Sequence, residues 1–438
     1  MGSIRRLLDV VDRIVDNRTG IVQSCYEMRP EAHAPHLFHY YAYSCNTAAF
    51  APWGNFRNVG GVATDRQMAR AKAVGEAVER YCSAIFRREE LPLTSFNAAP
   101  FRCVEPERFN YFSAEQFARI GYPYKPFERD TPVRWTSAID LTDGDDTHVP
   151  ACAVWMPYYF DAVGGETPIF QPISSGLSAH CSLEEATLGG LLEVVERDSF
   201  SMTWQGRLSH PRIRSETLSH ANYRLVELIE RAGDEVFLLD ATTDLGIPCV
   251  LVVLHGRASP APPLTIAASA ELSPEVAIRK ALEEAVHTRR YMREVQNWTS
   301  DFDPGVDFDG VLDQSHHLRL WGKPEMRQQA DFLLACDHRV DWTEMTSLEE
   351  PTAMQGLRRL VDVLAAKGFR SYMADLTTPD VAALGMHVVR SLVPGLHPFF
   401  IGHHIRARNC PRLFEAPQRF GHPAVSKGQD NPFPHPFP

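Results

Sequence analysis

Apolar positions along the chain alternate between two periods, about 2 and about 3.6 residues, so strands and helices are mixed from end to end. Ile4 to Ile14 is an amphipathic stretch, followed by a turn at Asn17-Arg18-Thr19-Gly20. Leu37 to Cys45 (LFHYYAYSC) is aromatic-rich and reads as a strand. Asn58-Val59-Gly60-Gly61 reads as a turn, after which Thr64 or Asp65 caps a helix to about Phe86. Ala69, Ala73, Ala77 and Tyr81 follow helical spacing there, as do Val74 and Val78. After a proline-containing region (91–130), strands are expected near 133–140 and 148–156. A second helix is predicted after Ser174-Ser175-Gly176, from around Ser182 to about Trp204.

Farther on, strands are expected at 234–240, 248–254 and 264–270. The last leads into a third helix opened by Ser273-Pro274, with proline at the first helical position. A charged, less regular stretch spans 296–350, then come a helix at 352–367, strands near 370–376 and 386–392, and a Pro/Gly-rich end. Such mixing gives a fold class of α/β or α+β. At 438 residues the chain exceeds the usual single-domain size, so two or three subdomains around a large core are expected.

Charge narrows the function classes. The net charge is −11, with 44 basic and 55 acidic residues, which argues against a general nucleic-acid coat. The nine cysteines form no CxxC pair, so neither a zinc knuckle nor a thioredoxin-type site is indicated. An odd number without a secretory signal fits reduced thiols in a cytosol. No apolar run reaches the roughly 18 residues of a membrane span. The expectation is a soluble cytoplasmic protein with no membrane role.

One motif occurs twice. Residues 76–80 read EAVER and residues 193–197 read EVVER, each late in a helix that follows a glycine-containing turn. The recurrence suggests an internally duplicated strand–turn–helix unit. Positions i and i+3 share a helix face, so Glu76 and Glu79 form one carboxylate pair and Glu193 and Glu196 another. Four carboxylates together repel unless a cation neutralises them, and Mg2+ takes a few carboxylates plus phosphate oxygens and water. Glu76–Arg80 and Glu193–Arg197 are also i,i+4 pairs, which stabilise a helix without any ligand. The third helix carries Arg279, Lys280, Arg289 and Arg290 among glutamates; Arg279 and Lys280 could clamp phosphates while glutamates join the metal cluster, the alternative being a solvated charged face. No Walker, Rossmann, HExxH or GxSxG pattern is present.

The tail Pro432-Phe433-Pro434-His435-Pro436-Phe437-Pro438 alternates proline with other residues. It is read as a stiff polyproline II segment of about 3.1 Å per residue, the alternative being a frayed proline-rich end.

Several stretches resemble the YcaO-domain proteins: Gly60-Gly61 with ARAKAVGEAVERY (69–81), SSGLSAHCSLEEATLGGLLEVVERD (174–198), SPEVAIRKALEEAVHTR (273–289) and VVRSLVPGLHP (388–398), with the tail. The resemblance implies a segment 1–50 followed by a YcaO domain over 51–438, whose ATP site lies between helices. It implies ATP and Mg2+ as cofactors, with Glu76, Glu79, Glu193 and Glu196 holding metal. Ser175, Ser178, Glu185, Arg279 and Arg289 would bind the nucleotide. The chain departs from many relatives at Ser175 (Asn there) and His287 (Gln there), and has Gly60-Gly61-Val62 where some members have Gly-Lys-Gly.

Within that family, azoline-forming cyclodehydratases end in PxPxP, as Pro434 to Pro438 do, and thioamide-forming members generally lack it. The implied reaction is ATP-dependent cyclodehydration of Cys, Ser or Thr in a ribosomally made precursor peptide. His435, Pro436 and the Pro438 carboxylate would arrange the ring-forming step. A separate leader-binding partner of the ThiF-like or a related class is expected, with a flavin dehydrogenase as a further partner and a homodimer as the assembly. The alternatives are thioamide or amidine formation, for which a TfuA-like neighbour would speak, and a non-catalytic assembly factor.

Overall fold

The computed structural model describes residues 2–257 and 261–437. In chain order its main elements are α1 (Gly2–Ile14), β1 (Val22–Glu27), β2 (Phe38–Ser44), β3 (Asn58–Ala63) and α2 (Arg66–Cys82). Then follow β4 (Val133–Asp140), β5 (Asp146–Pro150), β6 (Leu177–His180), α3 (Leu183–Gln205), α4 (His220–Arg231) and β7 (Asp234–Asp240). Next are β8 (Cys249–Gly256), β9 (Thr265–Ala270), α5 (Pro274–Trp298), α6 (Gln314–Trp321), α7 (Ala353–Ala366), β10 (Tyr372–Asp375) and β11 (His387–Leu392). They fall into two compact units. The first comprises Met1–Met28, Phe38–Val194 and Glu350–Leu396; the second comprises Arg29–Leu37, Val195–Glu349 and His397–Pro438.

The first unit carries two sheets. β1, β2 and β3 form an antiparallel sheet in which Gly60 and Gly61 pair with Tyr41 and Tyr40. The segment Asn58–Gly61, read above as a turn, is therefore strand. Its glycines serve close packing instead. A Cβ on Gly61 would come within 2.4 Å of the Ala69 carbonyl of α2, so only glycine lets the helix lie this near. The other sheet runs Leu93–Thr94, β4, β10, β11, β6, with β5 on β4, and all its pairings are antiparallel. The strand expected over 148–156 ends at Pro150, where a short 3-10 turn at Ala151–Ala153 takes over.

α2 starts where the Asp65 side chain accepts a hydrogen bond from the Met68 N–H at 2.8 Å. It ends at Cys82 rather than near Phe86, because the following N–H groups of Ala84 and Ile85 fold back in tighter turns. Its Ala73, Val74, Ala77 and Val78 are wholly buried against Val11, Ile14, Val22 and Ala42.

The second unit holds a sheet of order β9, β8, β7, Arg212–Ile213, Arg339–Val340, antiparallel except for its last pair. Val250 to Leu254 on β8 are essentially inaccessible. α5 packs on β9 and β8 and buries Ala277, Ile278, Ala281, Leu282 and Ala285, a helical stripe. Within the stretch read as irregular, α6 forms behind an Asp313 cap that accepts from the His316 N–H at 2.9 Å. Mostly antiparallel sheets with helices on them make the fold α+β. Among the described residues no helix is long and apolar enough to cross a membrane, and all nine cysteines are free thiols.

Candidate functional site

The two copies of the repeated motif use their first glutamate in the same way. Glu76 on α2 accepts a hydrogen bond from the Gly60 N–H, and Glu193 on α3 accepts one from the Gly176 N–H, each at 3.3 Å. Each carboxylate thus ties its helix to the glycine segment that leads into it. Gly176, at φ +85°, is in the left-handed region that favours glycine, and a Cβ there would meet the Ser391 carbonyl at 2.2 Å. Glu76 also makes the expected i,i+4 pair with Arg80, at 3.1 Å.

Glu79 links α2 to β6. It accepts from the Ala179 N–H on β6 at 2.8 Å. Desolvation pushes its carboxyl up to about 8, and the charges of Glu76 and Glu193 add to this against the opposing pull of Arg80 and the Ala179 bond. A carboxyl held this far above its ordinary range is neutral near pH 7 in the ligand-free protein, and positive charge arriving beside it would favour its ionised form. Among the described residues no three His, Cys, Asp or Glu side chains are drawn together tightly enough to hold a metal ion by themselves. Glu76, Glu79 and Glu193 still fit Mg2+, because that ion typically takes only one or two carboxylates and completes its shell with phosphate and water. Glu196 follows Glu193 by three residues on α3 and lies 3.7 Å from Arg197.

The positions expected at the nucleotide divide into two groups. Ser175 sits in the turn before β6. Ser178 lies on β6 opposite Val389, its hydroxyl only 2.9 Å from where a Cβ on Gly189 would be, so α3 passes close above it. Glu185 forms the start of α3 with Ser182: its N–H donates to the Ser182 hydroxyl at 3.2 Å, and that hydroxyl donates back to the carboxylate at 3.1 Å. His180 Nδ1 lies 2.8 Å from the same carboxylate. These residues belong to the first unit with Glu76, Glu79 and Glu193, whereas Glu196 belongs to the second.

The arginines of the third helix are placed otherwise. Arg289 is 1% exposed, and its Nε donates to Asp234 at 2.7 Å while Nη2 donates to the His33 carbonyl at 3.1 Å. Two of its five N–H donors are thus committed to a buried carboxylate and a backbone carbonyl, contacts that give Arg289 a structural role in the second unit. Arg279 lies 3.5 Å from the buried Glu283, one turn along the same helix. Lys280 pairs with Glu271.

Sequence reasoning missed Arg390. It stands on β11, a strand flanked on both sides, where Leu177 and Ala374 are its neighbours. It is 3% exposed, and Nη2 donates to the Ile173 carbonyl at 2.6 Å. Its Nε and Nη1 have no hydrogen-bond partner, and neither does the buried Nη1 of Arg80. Desolvation pulls Arg390 down to about 10; Glu193 favours its charge and Arg80 opposes it. A lone cation within the apolar run Val388-Val389-Arg390 is the signal that could have flagged it.

From Pro434 to Phe437 the tail is buried, not frayed. Its carbonyls are anchored in turn: Trp204 Nε1 donates to Phe433 O and Trp321 Nε1 to Pro434 O, both at 2.9 Å, and His317 Nδ1 donates to His435 O at 2.7 Å. The His435 Nε2 donates to Phe400 O at 2.8 Å, and its ring stacks on His317 with centroids 4.1 Å apart. Burial holds both imidazoles well below their ordinary range, so they are neutral. Pro436 and Phe437 are buried as well, and the Phe437 ring lies 4.1 Å from that of Phe200. Pro438, whose carboxylate was expected to act, lies outside the described residues.

Comparison with known proteins places these features in context. The family model described as YcaO cyclodehydratase, ATP- and Mg2+-binding, matches residues 60–397. An uncharacterised protein of Methanothermobacter thermautotrophicus is 28% identical over 78% of this chain and 82% of its own. A protein from the tfuA 3′ region of Rhizobium leguminosarum bv. trifolii is 27% identical over 79% of this chain and 78% of its own. A heterocyclase in complex with substrate and cofactor shares the fold at TM-score 0.80 and 20% identity, covering 99% of this chain. This chain spans only 57% of that heterocyclase. The YcaO protein of Methanopyrus kandleri bound with AMPPCP and Mg2+ matches at TM-score 0.66 and 21% identity, over 90% of this chain and 91% of its own. A chain of the E. coli microcin synthetase McbBCD complex with bound pro-MccB17 matches at TM-score 0.61 and 15% identity, over 96% and 99%.

Proposed function

The chain belongs to the YcaO family, and from that premise we propose that it is an ATP-dependent peptide cyclodehydratase. Its substrate is a ribosomally made precursor peptide. The thiol or hydroxyl of a Cys, Ser or Thr adds to the carbon of the preceding amide. The amide oxygen takes the terminal phosphoryl group of ATP and leaves as phosphate, and a thiazoline or oxazoline remains.

The observation that carries this reading is the constellation of Glu76, Glu79 and Glu193, with Glu79 pushed up by burial and by the other two. Mg2+ bound there supplies the charge neutralisation that phosphoryl transfer requires. The chain's own task is positioning. The Gly60 and Gly176 N–H groups hold Glu76 and Glu193, and the Ala179 N–H holds Glu79. Preorganised carboxylates of this kind need no rearrangement when the cation and phosphates arrive. Ser175, Ser178 and Glu185 are assigned to the nucleotide side.

Ring formation within the family is favoured by the tail. We assign His435 and Pro436 the task of arranging the site, not of moving protons. The His435 Nε2 is engaged on a backbone carbonyl, and burial keeps the ring neutral. A separate leader-binding partner of ThiF-like or related class fits the likeness to a chain of a multi-protein synthetase; a flavin dehydrogenase that oxidises the azolines, a homodimeric assembly and a cytoplasmic location complete the proposal.

The test is mass spectrometry of the precursor peptide after incubation with the protein, its partner, ATP and Mg2+. Loss of one water per ring is expected, and an unchanged mass overturns the reading. A second reading is thioamide formation, favoured by the likeness to the protein from the tfuA 3′ region. Exchange of one oxygen for sulfur, with a sulfide source present, would establish it instead.

A further inference from the structure

Two arginines of the first unit are left with open donors in places where water does not reach. Arg390 Nε and Nη1 and Arg80 Nη1 are buried and have no hydrogen-bond partner. Buried guanidinium groups are ordinarily paired on most of their N–H groups, because each missing bond leaves a desolvated charge uncompensated. Desolvation opposes the charge of Arg390 most, Glu193 favours it, and Arg80 is close enough to disfavour it. Glu76 engages Arg80 through Nη2 alone, and the Ile173 carbonyl engages Arg390 through Nη2 alone.

Arg390 lies beside the turn that leads into β6. Ile173 opens the turn Ile173-Ser174-Ser175-Gly176. The Leu177 N–H closes back on Ser174 O at 2.9 Å, and the Gly176 N–H is held by Glu193. Gly176 O in turn accepts from the Ser391 N–H, the residue after Arg390, at 2.8 Å. Arg390 therefore braces this loop from β11 while its Nε and Nη1 are left without a hydrogen-bond partner.

We propose that Arg390, with Arg80 beside it, is an anion-holding site for phosphate oxygens, those of a bound nucleotide or of the phosphate it releases. A guanidinium matches such oxygens with several charge-assisted hydrogen bonds, and an anion between two arginines removes their mutual repulsion. The inference rests on the ATP-dependent reading above and extends it to residues that reading does not require.

The experiment is calorimetric binding to the full-length protein in EDTA, without metal or peptide. The probes are pyrophosphate, inorganic phosphate, AMPPCP and adenosine, and the variants are Arg390→Met and Arg390→Lys. Arg390→Met is expected to bind pyrophosphate at least about tenfold more weakly than wild type, with adenosine unaffected and Arg390→Lys intermediate. Equal weakening of AMPPCP identifies nucleotide phosphates as the ligand, and weakening confined to inorganic phosphate identifies the released product. Wild-type affinity of Arg390→Met for every phosphate probe overturns the proposal. Should that variant fail to fold, amide exchange on the wild type decides. Pyrophosphate should slow exchange in 173–177 and 387–392, and no slowing at saturation overturns the proposal. Neither arm involves peptide or turnover, so failure here leaves the cyclodehydratase reading standing.

Discussion

The guanidinium of Arg197 lies over the ring of Phe437, 4.6 Å from its centroid, with the Phe399 ring also 5.0 Å away. The last residue of the second repeated motif is thereby held by the tail, and cation–π contacts of this kind are worth about 0.5–2 kcal/mol. Phe437→Ala removes a ring that is 2% exposed and packs on Phe200 and Phe399. Local loosening of the tail is expected, read as faster exchange of the Trp204 and Trp321 indole N–H groups that donate to Phe433 O and Pro434 O. Cyclodehydration should fall at least about tenfold if Arg197 is positioned by these rings. Unchanged indole exchange and turnover would show that the ring does nothing for the motif.

The Arg289–Asp234 pair makes the opposite prediction. Breaking a buried ion pair from one side leaves a buried charge uncompensated and typically costs about 3–5 kcal/mol. Arg289→Met should lower the unfolding free energy by that much, and under conditions where it is folded its ATP affinity should equal that of wild type. A fall in affinity with an undiminished unfolding free energy would point to a nucleotide role for Arg289 instead of a structural one.

Protonation of the stacked histidines provides a pH test. Burial depresses His317 to about 4, and its neighbours include His316, Asp313 and His435. Burial lowers His435 as well, and the nearby His403 is depressed in the same direction. A histidine lowered in the folded state binds its proton more readily when unfolded. Its stabilising effect is complete above the unfolded value near 6.5 and is lost as pH falls towards 4. For His317 the loss is on the order of 3 kcal/mol. Unfolding free energies measured between pH 6.5 and 4 should therefore decline, and His317→Asn should flatten part of that decline. A profile identical to wild type would remove His317 as the titrating group.

How far these features can be read without coordinates depends on the range of the interaction that creates them. The starts of α2 and α5 are local, set by Asp65 and by Ser273-Pro274, and the residues alone place them correctly. Gly60-Gly61 misleads because glycine serves a turn and a tightly packed strand equally well; the deciding fact is the Ala69 carbonyl pressing on the strand. Arg289 and Arg390 look alike in sequence. Only the fold brings Asp234 to the first and leaves the second with open donors. The tail's alternating prolines are conspicuous, yet its burial depends on Trp204, Trp321 and His317, donors far away along the chain. The recurrence of the glutamate motif is legible in full, and the structure adds the matching glycine N–H bonds.

Glu79→Gln separates binding from folding most cleanly. The substituted amide keeps the shape and still has an oxygen to accept from the Ala179 N–H, so local geometry is retained. Burial and the charges of Glu76 and Glu193 already disfavour the ionised carboxylate, so the ligand-free protein loses nothing when the charge goes. Its melting temperature should equal or exceed that of wild type. The response to ligand should differ. Saturation at a hundredfold excess over Kd stabilises a protein by about 2.7 kcal/mol, and a hundredfold weaker site removes nearly all of that gain. Wild type is therefore expected to melt higher with Mg2+ and AMPPCP than without, and Glu79→Gln to show almost no increase and no ATP turnover. Removing Mg2+ with EDTA should reduce the wild-type response to that of the variant. A Glu79→Gln protein that still responds to Mg2+ and AMPPCP as wild type does would exclude Glu79 from the cation site.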